Sequence, residues 1–100
     1  AYFWDPNHGK YILPTLGGKY LVMNGINIHG QVVGRAETAS GVIHAYVWDA
    51  VNGIRDLTPS STIENGAQSI NDAGQAIVAY GLPTKFHLIN VNEGLTTIYP

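Results

Sequence analysis

Ile26-Asn27-Ile28-His29-Gly30-Gln31 returns as Ile70-Asn71-Asp72-Ala73-Gly74-Gln75, a step of 44 residues. The same step carries Tyr2-Phe3-Trp4-Asp5 onto Tyr46-Val47-Trp48-Asp49. Working outward, residues 1–36 laid without a gap over 45–80 share ten identities, at Ala1, Tyr2, Trp4, Asp5, Gly9, Leu13, Ile26, Asn27, Gly30 and Gln31. A third, partial copy follows at a shorter step of 41, in which Gly94 answers to Gly53 and Ile98 to Leu57. A unit of about 40–45 residues built from short strands has the length of a propeller blade.

Within each copy, short apolar runs rich in Val, Ile, Tyr and Trp alternate with Gly, Asn, Asp and Pro, the pattern of strands and turns rather than of helix. Ten strands are expected, at about 2–4, 10–13, 22–27, 30–36, 42–48, 53–58, 66–71, 74–80, 85–90 and 94–99. The loops Asp5-Pro6-Asn7-His8-Gly9, Asp49-Ala50-Val51-Asn52-Gly53 and Asn90-Val91-Asn92-Glu93-Gly94 each pair an Asx, which can bond its own backbone, with a Gly for positive φ. Asn27-Ile28-His29-Gly30 and Asn71-Asp72-Ala73-Gly74 read as type I turns with Gly in the left-handed position leading into a bulge. All five are hairpins. The longer joins from Leu13 to Val22 and from Leu57 to Gly66 read as crossings from one sheet to the next. The expected architecture is all-β: propeller-like tandem blades of four antiparallel strands, about two and a half in one repeat domain over 1–100. Its copies span about 1–24 (partial), 25–68 and 69–100.

Composition narrows the chemistry. Only five Lys and Arg occur, at Lys10, Lys19, Arg35, Arg55 and Lys85, singly placed against seven acids, so no basic stripe exists to hold a phosphate backbone. Nucleic acid is not an expected partner. Cysteine is absent, which excludes disulfides and thiolate metal sites. No run of eighteen apolar residues is present, so no membrane-spanning helix is expected. The chain opens inside a repeat, without a charged start and apolar signal region, and is expected to be a mature piece.

The segments Gly25-Ile26-Asn27-x-x-Gly30-Gln31-Val32-Val33-Gly34, Gly41-x-x-His44-Ala45-Tyr46-x-Trp48-Asp49 and Gly53-x-x-Asp56-Leu57 resemble the HAF repeats of probable extracellular bacterial proteins, whose His-Ala-Phe is nearly spelled by His44-Ala45-Tyr46. Thr15-Leu16-Gly17-Gly18 also fits the family's pattern, and the likeness covers essentially the whole chain. The third copy departs, with Lys85-Phe86-His87 in place of His-Ala-aromatic and Ile89 in place of Trp. The resemblance implies a propeller-like fold and an extracellular or cell-surface location, and it implies no catalytic residues.

Individual residues divide the same way. Trp4 and Trp48, recurring at one repeat position, are expected in the core. Asn27, Gly30, Asn71, Gly74, Gly9, Gly53 and Gly94 are turn residues with a structural role. His44 is expected to be a satisfied imidazole bridging strands or crossings, with a ligand contact as the alternative. His8, His29 and His87 do not share its repeat position, and no two histidines have zinc-site spacing, so no metal and no cofactor is expected. Asp5-x-Asn7-x-Gly9 lacks the later ligands of a calcium loop. Gly17-Gly18-Lys19 lacks the spacing of a phosphate loop, no Gly-x-Ser-x-Gly elbow occurs, and the acids are dispersed. No catalytic residue is assigned.

Two functions follow. The first is a non-enzymatic binding or scaffolding module that presents loops on one face of a rigid frame, for glycan or protein ligands. Its candidate ligand face is Lys19, Tyr20, Glu37, Thr38, Ser40, His44, Ser60, Thr62 and Glu64, contributed by the crossings and by the turn after the second strand of each unit. The opposite face is all tight turns. The alternative is a fragment of an extracellular propeller enzyme whose catalytic residues lie in other blades. The leading half unit also leaves an open strand edge, which favours a homo-oligomer or the remainder of a longer propeller chain.

Overall fold

A computed structural model describes residues 2–5, 9–59, 61–80, 85–92 and 95–99, with side chains over 13–59, 61–79 and 85–92. It holds ten strands and, among the described residues, no helix: β1 (Tyr2–Asp5), β2 (Gly9–Ile12), β3 (Gly17–Ile26), β4 (Val32–Thr38), β5 (Ile43–Asp49), β6 (Gly53–Asp56), β7 (Asn65–Ile70), β8 (Gln75–Tyr80), β9 (Lys85–Asn90) and β10 (Leu95–Tyr99). All pairings between these strands are antiparallel. They form one hairpin, β1-β2, and two four-stranded meanders, β3-β4-β5-β6 and β7-β8-β9-β10. The described strands close no ring.

The two meanders are successive copies of the repeat, and their register agrees position by position. Val33 faces Val47 across β4 and β5, and Ile77 faces Leu88 across β8 and β9. Neighbouring residues of a strand point to opposite faces. Val33, Ala45 and Val47 therefore lie on one face of the β3–β6 sheet, where they join Ala67, Ala76, Val78, Ile89 and Val91 of the second sheet in a buried cluster. Val32, Ala36, Tyr46 and Trp48 lie on the other face, with Leu13, Leu16, Leu21 and Ile54. Because both of its faces are covered, β5 is buried from His44 through Trp48 with no polar alternation. Each large side chain so buried contributes roughly 1.5–3 kcal/mol.

The boundaries of β4 and β6 shift by two residues from the sequence expectation, and the start of β3 departs furthest. The crossing expected to run to Val22 ends at Gly17, which pairs with Thr38, while Leu16 makes an isolated bridge to the same residue. Lys19 and Tyr20 thus sit in a strand and not in a loop. The cause is two register shifts, between Gly17 and Leu21 and between Met23 and Gly25, which hide the period-two signal of β3. Gly34 permits the second shift. A Cβ there would collide with the Val22 carbonyl of the irregular strand, and that carbonyl accepts a 3.1 Å hydrogen bond from the buried Tyr46 hydroxyl. Burial in turn pushes the Tyr46 phenol well above its ordinary pKa.

Candidate functional site

The ends of the sheets differ in how their polar side chains are used. At one end lie the β3–β4 and β7–β8 turns. Asn27 Oδ1 accepts from the His29 and Gln31 amides, and Asn27 Nδ2 donates to Gln31 Oε1 at 2.7 Å. Asn71 repeats the arrangement with Ala73 and Gln75. Gly30 and Gly74 take φ of 75° and 80°, the left-handed region the turn demands. The two turns are also bonded to each other, through Asn27 Nδ2 to Asn71 O (3.1 Å) and the Ile28 amide to Asp72 Oδ1 (3.0 Å), both spanning one repeat step of 44 residues. Gln31 Nε2 reaches Asn92 Oδ1 at 2.9 Å.

The β5–β6 turn lies at the same end. Asp49 Oδ1 accepts from the Val51 and Asn52 amides, Asp49 Oδ2 accepts from the Asn52 side chain, and Gly53 follows at φ 75°. Burial would raise the Asp49 carboxyl, but the Asn52 and Val51 donors and the Arg55 guanidinium outweigh it and hold its pKa below the ordinary value. In the third copy Asn90 Oδ1 accepts from the Asn92 amide in the same manner. Trp48 is buried in the core. Of the other turn and core residues named from sequence, Gly94 lies outside the described residues, Gly9 begins β2, and the side chain of Trp4 lies outside those described.

At the other end the crossings and the β4–β5 turn come together. Thr15 Oγ1 closes the first crossing by donating to Gly18 O and accepting from the Gly17 amide. The Lys19 amide donates to Glu37 Oε1 at 2.8 Å, and Arg35 places its guanidinium carbon 5.8 Å from the Tyr20 ring centroid, within cation–π range. Thr38 Oγ1 bonds Ser40 Oγ (3.0 Å) and Val42 O (2.9 Å) around the turn. The Arg35 stem also lies against Gly66, where an added Cβ would sit 3.0 Å from Arg35 Cβ. Arg35 therefore joins the β3–β4 cluster to the start of β7. Its role was not legible in the sequence, since it stands alone in the charge pattern.

The second crossing is stapled by a polar network around His44. The buried imidazole meets Asp56 Oδ2 through Nδ1 and Ser61 O through Nε2, each at 2.8 Å. Asp56 Oδ1 takes the Thr58 amide, Thr58 Oγ1 donates to Asn65 Oδ1, and the same oxygen accepts the Ala45 amide at 2.7 Å. Asn65 Nδ2 closes the circuit on Ile63 O. With both ring nitrogens occupied, His44 anchors the crossing from inside the end. Nε2 faces the Ser61 carbonyl, while the Ser61 hydroxyl donates to Ile63 O. Asp56, Thr58 and Asn65 were missed as a set because their partners lie on three different elements.

Of the ligand-face candidates, Lys19, Tyr20, Ser40, Thr62 and Glu64 are exposed, Glu37 and Thr38 are half-buried and bonded, His44 is buried, and Ser60 lies outside the described residues. Among the described residues no group of three His, Cys, Asp or Glu side chains could hold a metal ion, and no helix is long and apolar enough to cross a membrane. No family model, no curated protein and no solved structure matches the chain.

Proposed function

We propose that the chain is a non-enzymatic binding or scaffolding module of HAF-type repeats, each meander a propeller-like blade, working outside the cell or at its surface. The observation that carries this reading is the asymmetry of the two ends. One end spends its Asn, Gln and Asp side chains on its own turns and on the next repeat. The other has its frame held from within by His44, Asp56 and Asn65, and leaves Lys19, Tyr20, Ser40, Thr62 and Glu64 exposed above it. An exposed aromatic on the same end of the sheets as exposed carboxylate, hydroxyl and ammonium groups suits a glycan or a polar peptide segment.

The test is amide chemical-shift mapping while the protein is titrated with defined neutral and acidic oligosaccharides and with short polar peptides. Saturable shifts at residues 19–20, 37–41 and 61–64, weakened by Tyr20→Ala, are the expected result. Shifts confined to the 27–31 and 71–75 turns, or no saturable shift with any probe, would overturn the assignment.

A further inference from the structure

Each ring nitrogen of His44 faces an atom that accepts hydrogen bonds. Nε2 lies 2.8 Å from Ser61 O, and Nδ1 lies 2.8 Å from Asp56 Oδ2. A backbone carbonyl can only accept, so Nε2 carries a hydrogen. A neutral imidazole has one N–H, and with that hydrogen on Nε2 its Nδ1 turns a lone pair toward the carboxyl. The second contact therefore needs a second proton, either on Nδ1 with Asp56 ionised or on Oδ2 with the imidazole neutral. Both forms hold the same number of protons, one more than a neutral histidine beside an ionised aspartate. The imidazole is 4% exposed, so bulk water does not stand in for either partner.

From this count of donors and acceptors we infer that the His44–Asp56 pair is a proton-operated latch on the second crossing, closed on Ser61 O while the extra proton is held and open once it is lost. Loss of that proton to solvent leaves an ionised Asp56 and an imidazole with a single hydrogen. The charged carboxylate keeps this hydrogen on Nδ1 in competition with the neutral carbonyl. Nε2 then sets a lone pair against Ser61 O, and the contact turns repulsive. The latch is closed on the acid side and opens as pH rises.

The crossing has little else to hold it. Among the described residues, 59 and 61–64 make no other hydrogen bond to the β3–β6 sheet. Ser61 N bonds Thr58 O, while Ser61 Oγ and Asn65 Nδ2 both bond Ile63 O, all within the crossing or at its end. The segment released carries the exposed Thr62 and Glu64. Asp56 is the one ionisable side chain bonded to the imidazole among the described residues. β4 sets Ala36 opposite His44, with Arg35 and Glu37 on the reverse face. Tyr46, two residues along β5 on the same face, spends its hydroxyl on Val22 O, and Glu64 of the crossing is exposed. The latch rests on these hydrogen bonds and not on the ligand-binding reading, and no ligand is needed to test it.

The experiment is NMR on the full chain from about pH 5 to about pH 9, following the two ring nitrogens of His44 together with the Ser61 carbonyl and Thr62 amide shifts. Nε2 should carry hydrogen at the acid end and lose it as pH rises, leaving the remaining hydrogen on Nδ1. The Ser61 carbonyl and the Thr62 amide should move in the same titration. Asp56→Asn supplies the decisive comparison. An asparagine there can accept the Thr58 amide through Oδ1, as Asp56 does, and donate Nδ2 to His44 Nδ1, so a neutral imidazole with its hydrogen on Nε2 keeps both contacts without an extra proton. In that variant the coupled movement of Ser61 and Thr62 should be lost and the crossing should stay docked at the alkaline end. Should Asp56→Asn misfold by circular dichroism, His44→Gln, which removes the titrating ring, should abolish the movement instead. Nε2 that keeps its hydrogen throughout, Nε2 without hydrogen at the acid end, a Ser61 carbonyl that does not follow the imidazole, or Asp56→Asn moving as the wild type does would each overturn the proposal.

Discussion

Replacing Asn27 by Ala, and separately Asn71 by Ala, uses the repeat as its own control. Both residues open the same turn, and both accept two backbone amides and donate to the Gln four residues on. Asn27 differs in two respects: its Nδ2 also donates to Asn71 O in the next repeat, and it is buried, as is Gln31, whereas Asn71 is exposed. A net intramolecular hydrogen bond is worth about 1 kcal/mol, and a buried group left unpaired costs its full desolvation. Four bonds, the two to Gln31 buried and the other two half-buried, put Asn27→Ala at about 4 kcal/mol. Water can replace most of what Asn71→Ala removes, so that change should cost about 1–2 kcal/mol. The Asn71 backbone carbonyl survives its own substitution, so the bond from Asn27 is kept and the difference of about 2–3 kcal/mol isolates burial and the contact between repeats. Urea unfolding with unchanged m-values reads it directly. If the two variants agree within about 0.5 kcal/mol, the turns are independent of one another and the repeat-to-repeat contact does not stabilise the fold.

Trp48→Ala should cost about 3–5 kcal/mol, the range for a buried large aromatic, and a loss under about 1 kcal/mol in the same unfolding assay would contradict its place in the core. Gly30→Ala should cost about 1 kcal/mol, because φ is left-handed but the space is open, whereas Gly34→Ala should cost more through collision with the Val22 carbonyl; equal costs would refute the bulge geometry. Asp49 has a lowered folded pKa, so its contribution is fully present above the unfolded value of about 3.9 and is lost as pH falls through the folded value. Stability followed from pH 6 down to about pH 2 should therefore fall less steeply in Asp49→Asn than in the wild type.

Much of the fold could be read locally. The Asx and Gly residues of each turn act within four or five residues of themselves, so Asn27, Gly30, Asp49 and Gly53 announced their hairpins, and the 44-residue step announced that the units are equivalent. The start of β3 was not legible, because its register shifts depend on Gly34 of the neighbouring strand leaving room for the Val22 carbonyl. The same holds at the loop end. His44 stood out as the histidine of the His-Ala-aromatic segment, but Asp56, Ser61 and Asn65 could be joined to it only when the second crossing folded back onto β5.

By itself the sequence determined strand periodicity, turn chemistry and the equivalence of the copies, since these are set by side chains bonding their own or adjacent backbone. Only the tertiary structure decided which face of each sheet is covered. Val33 and Ile77 are equivalent in sequence and alike in chemistry, yet one is wholly buried and the other 41% exposed, because the second sheet lies on Val33 and, among the described residues, no sheet lies on Ile77. Burial belongs to the neighbour as much as to the residue, and no local pattern records the neighbour.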